Sequence, residues 1–195
     1  IHKSEQSDLC AVATDGHRLA LTRQGLPAGA SSMPSVIVPR KAVTELRKLL
    51  DDFDGEIGMS LSDTRAEFSF GTVRLKTKLI DGTFPDYTRV IPRGNDRIMQ
   101  VDSVSFSAAV DRVSTISSEK SRSVKMRLQP GSLSLSASST DASSADEALE
   151  VSYDGPEMEI GFNARYLLDI ASQVNSDVIE FALADQGAPS LVRTP

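Results

Sequence analysis

The sequence contains an internal repeat in which a helical pattern is followed by alternating strand patterns. Residues 57–63 and 179–185 both alternate apolar with small or polar positions and end at aspartate, which predicts a half-buried strand running into a turn. A helical pattern precedes each strand, over residues 39–50 and 163–171. A third copy lies between them, so the unit starts near residues 39, 103 and 163, about 60 residues apart. One helix on one hairpin cannot bury its own apolar face, so we expect the units to pack side by side.

The predicted helices have recognisable ends and faces. Pro39 stands where a first helical residue would be, and Asn163 is placed to cap the third helix. The middle helix, residues 103–116, has one apolar face, formed by Phe106, Ala109, Val110 and Val113. Helix followed by hairpin is a common order, so an accidental match is the alternative explanation of the repeat. The favoured interpretation is a true repeat and an α+β fold of helix-plus-antiparallel-sheet units.

Turn signals divide the chain further. Pro130-Gly131 between two alternating runs predicts a hairpin. Residues 138–147 are polar and of low complexity, which predicts a solvated loop joining two strands. Turn residues cluster at residues 92–96, after a strand-like run at residues 87–91, and we place a domain boundary there. The expected domains are residues 1–96 and residues 97–195.

Composition excludes several classes of protein. The single cysteine, Cys10, rules out an intrachain disulfide and a zinc site built on cysteine pairs, and we expect it to be buried and inert. The formal net charge of −6 argues against a polybasic protein that coats nucleic acid. No apolar run approaches the roughly 20 residues of a membrane span, and the start has no signal-peptide core. We expect a cytoplasmic protein with no membrane partner. Because the chain lacks an initiator methionine and stops in a strand-like run, we expect a piece of a longer protein.

Catalytic chemistry would centre on Asp15 and His17. The two residues could form the acid/base pair of a hydrolase-like enzyme, and this enzyme is one alternative hypothesis. No nucleophile motif, metal-binding His pair or phosphate loop accompanies them, although a catalytic site needs its groups within mutual reach. Asp15-Gly16 is more simply a turn between strands at residues 9–13 and 18–21. We therefore predict no catalytic residue, no metal site and no cofactor.

Charge is distributed unevenly along the sequence. Residues 128–164 contain seven acidic residues and no lysine or arginine. The helix of residues 39–50 is basic, and we expect that the hairpins between units lack such clusters. A basic helix face can hold phosphates without reading sequence, whereas an ordinary solvated face, in an acidic β-rich interaction module without DNA contact, is the alternative. The basic residues of the first helix and of the middle copy are Arg40, Lys41, Arg47, Lys48, Arg112, Lys120, Arg122, Lys125 and Arg127.

Five short stretches stand out in order along the chain: residues 14–20 (TDGHRLA), 36–41 (VIVPRK), 82–92 (GTFPDYTRVIP), 118–120 (SEK) and 157–163 (EMEIGFN). They resemble signature segments of the bacterial DNA sliding clamp family, the beta subunits of DNA polymerase III. Each stretch is short, but five in the family's order and spacing are specific. The resemblance extends over essentially the whole chain.

The resemblance implies a ring made from two copies of a three-domain subunit. Each domain contains two helix-plus-sheet units, with helices lining the hole and sheets outside. The chain would supply the middle domain without its N-terminal part and the last domain without its final strand and tail. The ring encircles duplex DNA and tethers the replicative polymerase, so the resemblance implies a non-catalytic processivity factor. It places Arg40, Lys41, Lys48 and, more weakly, Arg112 towards DNA.

The resemblance also implies a pocket between the middle and last domains for short peptide motifs of polymerases, the clamp loader and repair proteins. An apolar floor with few polar anchors suits a peptide that carries leucine or phenylalanine, although plain core is the alternative for Leu19 and Val90. Subunits of the homodimer join head to tail, with Thr115 and Ile116 at the contact, and we expect that this fragment does not close the ring. The pocket residues are Thr14, Gly16, His17, Arg18, Leu19, Pro85, Arg89, Val90, Asn163 and Tyr166.

Overall fold

The computed structural model describes residues 1–117, 122–139 and 143–195. The chain forms two compact units, Ile1–Pro85 and Asp86–Pro195. The sequence-based boundary at residue 96 lies later in the chain than this division. Residues before it belong to the second unit because the side-chain amide of Asn95 donates hydrogen bonds to the carbonyls of Ala182 (2.8 Å) and Pro189 (2.9 Å).

The first unit contains one α-helix and two three-stranded antiparallel sheets. Its elements are β1 (His2–Lys3), β2 (Asp8–Thr14), β3 (Leu19–Gly25), α1 (Arg40–Leu49), β4 (Gly58–Leu61), β5 (Arg65–Phe70) and β6 (Val73–Lys78). The strand orders are β1-β2-β3 and β4-β5-β6. The strand expected within residues 57–63 and the turn after β2 are confirmed, and Cys10 on β2 is fully buried as predicted.

Helix α1 is amphipathic but lies largely in solvent. Pro39 has an extended backbone (φ −60°, ψ 140°), so it precedes the helix, and its prediction as the first helical residue is wrong by one position. None of the helical residues is buried, and the apolar side chains Val43 and Leu49 are 51% and 45% exposed. The helix therefore presents both its cations and part of its apolar face at the surface of this unit.

The described residues of the second unit form two α-helices and two antiparallel sheets. Its elements are β7 (Arg97–Asp102), α2 (Ser103–Ser114), β8 (Ser123–Gln129), β9 (Ser132–Ser138), β10 (Ser144–Glu150), β11 (Met158–Asn163), α3 (Ala164–Ala171), β12 (Val178–Leu183) and β13 (Leu191–Arg193). The strand orders are β10-β9-β8-β11 and β13-β12-β7.

The two repeats of the second unit exchange strands. Strand β7 precedes α2 but pairs antiparallel with β12, which follows α3. Strand β11 precedes α3 but pairs with β8, which follows α2. The two helices also contact each other. Each repeat therefore completes the sheet of the other, which confirms that the units pack side by side.

The core of the second unit forms where α2 meets the sheets. The apolar face predicted for α2 is buried, with Phe106, Ala109, Val110 and Val113 all at most 2% exposed. The ring of Phe106 lies 5.2 Å from that of Phe181 on β12, in a tilted arrangement that aromatic pairs favour. The period of the sequence therefore predicts this core face correctly.

Strands β8, β9 and β10 are successive antiparallel neighbours in one sheet. The predicted hairpin between β8 and β9 is confirmed, and Gly131 in its turn has φ 75°, a backbone region that favours glycine. The expectation that residues 138–147 form a loop is wrong at Ser138, which ends β9, and from Ser144 onwards, where β10 begins and pairs with β9. Residues 140–142 of the expected loop lie outside the described residues. Ala145 and Leu149 alternate with polar residues along β10, so one face of this acidic strand packs against the hydrophobic core.

The segment at residues 87–91 is not the strand that its composition suggests. Tyr87–Arg89 forms a single 3-10 turn. The carboxylate of Asp86 accepts hydrogen bonds from the N–H of Thr88 (3.2 Å) and from its hydroxyl (2.6 Å), which closes the backbone locally. This local cap prevents the extended pairing that a strand requires.

Candidate functional site

The turn between β2 and β3 carries five of the predicted pocket residues. The hydroxyl of Thr14 donates to the carbonyl of Arg18 (2.8 Å) and accepts from the N–H of Gly16 (3.1 Å). One carboxylate oxygen of Asp15 accepts from the N–H groups of His17 and Arg18, both at 3.0 Å. Gly16 has φ 87°, a conformation in which a side chain would be strained. Hydrogen bonds within the turn therefore fix the backbone that carries the side chains of His17 and Arg18.

Asp15 holds this turn together rather than forming an acid/base pair. Backbone hydrogen bonds from His17, followed by those from Arg18, hold the pKa of Asp15 below its ordinary value. Its second carboxylate oxygen lies 3.3 Å from Nε of Arg18. A carboxylate stabilised in its ionised form is a weaker base, so this geometry does not favour the hydrolase-like alternative. Among the residues that the structure describes, no group of three or more acidic, His or Cys side chains is placed to hold a metal ion.

A second group of predicted pocket residues follows the chain from the first unit into the second. Pro85 is the last residue of the first unit, and Arg89 and Val90 belong to the second. Nε of Arg89 lies 3.1 Å from the carboxylate of Asp86, which begins the 3-10 turn. Val90 is 58% exposed, whereas Leu19 on β3 is half-buried. The core interpretation is therefore wrong for Val90, which offers an apolar side chain at the surface.

The third group lies at the start of α3. The side-chain oxygen of Asn163 accepts a hydrogen bond from the N–H of Arg165 (3.0 Å), which confirms the predicted helix cap. Tyr166 is half-buried in the first turn of the same helix. The predicted pocket residues therefore lie on three local segments of the chain, one in the first unit, one at the boundary and one in the second unit.

The basic residues of α1 lie at the surface. Arg40, Lys41 and Lys48 are all exposed. Nζ of Lys48 lies 3.2 Å from a carboxylate oxygen of Glu45, one helical turn away. Within the part of the chain that the structure describes, no acidic side chain forms an ion pair with Arg40 or Lys41. The start of α1 therefore carries two cations whose charge is uncompensated locally.

Arg112 on α2 is in a different environment. Its Nε donates to one carboxylate oxygen of Glu147 (3.0 Å), and its NH2 group pairs with the other oxygen. This bidentate pair raises the pKa of Arg112 and lowers the pKa of Glu147, in both cases chiefly through the side-chain hydrogen bonds. The sequence pattern does not reveal Glu147 as a partner, because it predicts a loop for the segment that contains this residue. The charge of Arg112 is largely compensated on the molecule itself.

The end of α2 carries the two residues expected at a subunit contact. The hydroxyl of Thr115 donates to the carbonyl of Arg112 (2.7 Å), and Thr115 itself is exposed. Ile116 is half-buried. The SEK stretch at residues 118–120, including Lys120, lies outside the described residues.

The cations of strand β8 pair with Glu159 on β11 and with Glu157, the residue just before β11. Nζ of Lys125 lies 3.0 Å from the carboxylate of Glu159, and Nε of Arg127 lies 2.6 Å from that of Glu157. Hydrogen bonds from Gln129 and then from Arg127 lower the pKa of Glu157. Lys125 and Arg127 are therefore compensated by glutamates of the acid-rich stretch.

A basic surface that the sequence pattern did not predict lies on the hairpin of β5 and β6. The expectation that the hairpins carry no basic cluster is wrong here. The available signal was the alternation of cations along β6, which puts them on one face of a strand. We call this surface the basic strand face; it consists of the exposed side chains Arg65, Arg74, Lys76 and Lys78.

Family models match both units of the chain. A model described as the DNA polymerase III beta subunit, C-terminal domain, matches residues 88–195, which is more than half of the chain. A second model, described as the central domain of the same subunit, matches residues 1–86. The chain therefore belongs to the family of DNA polymerase III beta subunits.

Its curated relatives are beta sliding clamps. The beta sliding clamp of Caulobacter vibrioides (strain NA1000 / CB15N) is 48% identical over 195 residues, which are 100% of this chain and 52% of that protein. The beta sliding clamp of Escherichia coli (strain K12) is 36% identical over 187 residues, which are 95% of this chain and 50% of that protein. The chain thus spans about half the length of the curated relatives it matches.

Solved structures agree with this relationship. The sliding clamp from Bartonella birtlesii, in a crystal structure bound to griselimycin, matches with a TM-score of 0.92 and 52% identity, over 96% of this chain and 50% of that one. The beta sliding clamp of C. crescentus, with PEG bound to its putative beta-motif tethering region, matches with a TM-score of 0.92 and 49% identity, over the same shares. The α+β sliding-clamp fold is therefore confirmed.

None of the helices formed by the described residues is both long enough and apolar enough to cross a membrane.

Proposed function

We propose that this chain is part of a beta sliding clamp, a non-catalytic ring that encircles duplex DNA, slides on it and tethers the replicative polymerase. The observation that carries this proposal is the match of two successive family models to residues 1–86 and 88–195. The identity of 48% to the C. vibrioides beta sliding clamp over 100% of the chain supports it. Because the chain spans about half of such relatives, the ring is proposed for a protein of their full length.

Topological retention decides what kind of DNA contact such a ring needs. A closed ring stays on DNA without tight binding, so diffuse attraction to phosphates is sufficient and base contacts would oppose sliding. Arg40, Lys41 and Lys48 suit this role because they are exposed cations on one short helix. We therefore assign these three side chains to the DNA-facing surface.

Arg112 is a DNA-facing residue of smaller expected effect. Glu147 already binds its guanidinium through both carboxylate oxygens. A phosphate would therefore have to share the cation or displace the carboxylate, and either reduces the net attraction.

The second proposed role is the binding of short peptide motifs from polymerases, the clamp loader and repair proteins. The exposed Val90 offers an apolar contact, and the β2–β3 turn holds Thr14, His17 and Arg18 in a fixed local geometry. Such a combination suits a peptide that carries leucine or phenylalanine. The PEG bound to the putative beta-motif tethering region of the C. crescentus clamp supports a motif-binding region in a similar protein. The remaining residues proposed for this role are Gly16, Leu19, Pro85, Arg89, Asn163 and Tyr166.

The homodimer of the full-length ring is proposed to join at the end of α2. Thr115 is exposed there and Ile116 is partly exposed, so both are accessible in this unit. We expect this chain by itself to remain unable to close a ring. Light scattering that shows a stable dimer of ring size would contradict this expectation.

A salt titration of DNA association tests the DNA-facing assignment. In the full-length ring, Arg40→Ala with Lys41→Ala should flatten the dependence of log affinity on log salt by about 0.9 for each phosphate that is no longer neutralised. The control is Arg23→Ala, which removes an exposed cation on β3 and should leave the slope unchanged. If the double variant loads and responds to salt like the parent, the DNA-facing assignment is wrong.

A peptide titration separates the clamp from the enzyme hypothesis. His17→Ala should weaken binding of a labelled motif peptide that contains leucine and phenylalanine, and Val90→Glu should weaken it further, because a charge replaces an apolar contact. Neither variant should change the salt dependence of DNA association. A hydrolytic turnover abolished by His17→Ala would instead support the enzyme.

A further inference from the structure

The polar face of the sheet β4-β5-β6 has an unusual concentration of positive charge. Its opposite face holds Ala66, Phe68 and Phe70, which are buried, so every second residue of β5 points to the polar side. The antiparallel register extends this alternation to β6. It places on the polar face the cross-strand pairs Arg65–Lys78, Glu67–Lys76 and Ser69–Arg74.

The basic strand face contains one carboxylate, Glu67, beside its four cations. Glu67 lies 3.0 Å from Nζ of Lys76 and 4.0 Å from the guanidinium of Arg74. Arg65 and Lys78 form no ion pair with an acidic side chain of the described residues. Four cations and one carboxylate leave a local charge of +3 on a chain whose formal net charge is −6.

The spacing of these charges matches an extended polypeptide. Arg74, Lys76 and Lys78 occupy alternate positions of β6, so successive cations stand about 6.8 Å apart along the strand. An extended peptide with an acidic residue at every second position has the same period. The remaining polar-face positions are Gly58, Ser60 and Ser69. Because these residues have small side chains or none, the backbone of the sheet stays accessible between the cations.

The same face lacks what single-stranded nucleic acid usually requires. Proteins that bind single strands without sequence preference combine a basic groove with aromatic side chains on which the bases stack. The outward positions of β4, β5 and β6 carry no aromatic residue, and the two phenylalanines of β5 point into the core. Charge and shape therefore favour an acidic peptide over a nucleic acid strand.

Protection of a sheet edge explains only part of this surface. Charged residues, lysine above all, on an outer strand oppose aggregation, and β6 is an outer strand in the order β4-β5-β6. Arg65, however, lies on the central strand β5, directly opposite Lys78. The charge thus extends across the face.

We propose that the basic strand face binds an extended acidic segment of a partner protein, with aspartate or glutamate at every second position. This surface is distinct in chemistry from the proposed motif-binding residues, which would take an apolar peptide. The two surfaces can therefore bind different parts of the same partner or two different partners.

Fluorescence anisotropy with a labelled peptide of alternating serine and glutamate tests the proposal on this 195-residue chain. We expect binding at low salt that weakens as salt is raised. Lys76→Glu with Lys78→Glu should weaken it by about tenfold or more, because attraction between several exposed charge pairs is replaced by repulsion. Arg23→Glu, an equal reversal of an exposed charge on β3, should have little effect.

Two further measurements keep the result interpretable. Lys76→Gln with Lys78→Gln removes the same charges without adding repulsion, should retain the far-UV circular dichroism of the parent, and should bind the peptide with intermediate affinity. A peptide of equal composition with its glutamates in one block should bind more weakly than the alternating one. The proposal is overturned if the Lys76 and Lys78 variants bind like the parent, if Arg23→Glu is equally harmful, or if oligothymidylate binds the face more tightly than the peptide.

Discussion

The polar faces of the sheets β4-β5-β6 and β10-β9-β8-β11 have the same construction but a different charge balance. On the second sheet, Lys125 of β8 pairs with Glu159 of β11, and Arg127 pairs with Glu157, which directly precedes β11. On the first sheet, Glu67 pairs with only two of the four cations, Lys76 and Arg74. Whether the charge of a basic residue on these strands is compensated therefore depends on the neighbouring segment of chain. A count of charges along the sequence does not reveal this.

The two units also differ in how their helices are packed. Helices α2 and α3 contact each other, and their buried residues belong to one core with both sheets of the second unit. Helix α1 buries none of its residues. Substitutions in the second unit should accordingly cost more stability than matched ones on α1.

The largest expected effect comes from the core of the second unit. Phe106→Ala should lower the free energy of unfolding of that unit by about 3–5 kcal/mol, because it removes a fully buried ring that packs on Phe181. Leu46→Ala, on the half-buried side of α1, should cost the first unit only about 1 kcal/mol. Urea unfolding followed by circular dichroism and tyrosine fluorescence would measure both. Equal losses would contradict the difference in packing.

Lowering the pH should reduce the free energy of unfolding of the second unit more than that of the first. Glu180 is 7% exposed, and hydrogen bonds from Gln100 and then Arg193 lower its pKa below the ordinary value of 4.5. A depressed folded-state pKa contributes stability above the unfolded-state pKa, and that stability is lost as pH falls through the folded value. The pKa values of Glu147 and Glu157 in the same unit are lowered too, whereas Asp15 of the first unit, whose pKa is also lowered, stabilises only an exposed turn.

The variant that tests this is Glu180→Gln. It should cost the second unit about 1–2 kcal/mol at neutral pH, because it removes a charge-assisted hydrogen bond to Arg193. Its unfolding free energy should also fall less steeply than that of the parent between about pH 5 and pH 3. Asp177→Asn, which neutralises an exposed carboxylate of the same unit, serves as the control. Identical pH slopes for Glu180→Gln and the parent would rule out this role of the Gln100–Glu180–Arg193 network.

A smaller effect is expected when Arg112 is released from its partner. Glu147→Gln leaves the guanidinium without its carboxylate, so α2 should become more attractive to phosphate, as is proposed for α1. In the full-length ring, the dependence of log affinity for DNA on log salt should steepen by up to about 0.9 for each additional phosphate that is neutralised. An unchanged slope would show that Arg112 does not face DNA.

The smallest effect is expected from a variant that gives the second sheet uncompensated cations like those of the first. Glu157→Gln with Glu159→Gln frees Arg127 and Lys125 from their partners but leaves the fold intact, because these ion pairs are exposed. The alternating serine-glutamate peptide should then bind the variant a few-fold more tightly than the parent. If its affinity does not change, cross-strand compensation is not what distinguishes the two faces.

Much of the fold was predictable from local pattern. The face of α2 that contains Phe106, the cap at Asn163 and the turn at Asp15-Gly16 each depend on residues a few positions apart. The motif residues are identified by the same short stretches. Their proposed roles stay predictions, because local geometry alone does not show what binds to them.

Other features could not be predicted, because they depend on distant residues. Arg112 and Glu147 are 35 positions apart, and Gln100 and Glu180 are 80 positions apart. The basic cluster on the hairpin of β5 and β6 escaped prediction although its cations are visible in the sequence, since only the register shows that Arg65 stands opposite Lys78. The strand β10 escaped prediction because its polar composition concealed a two-residue period.

The sequence by itself determined the repeat, the helices, the main turns and the membership of the beta subunit family, because side-chain period and short motifs are local properties. Only the tertiary structure decided which basic residues have an acidic partner and which do not. It compensated Arg112, Lys125 and Arg127 and left Arg40, Lys41, Arg65 and Lys78 without an acidic partner among the described residues. The physical reason is that an ion pair forms over a few ångströms in space, and the pairing of strands determines which distant residues come that close.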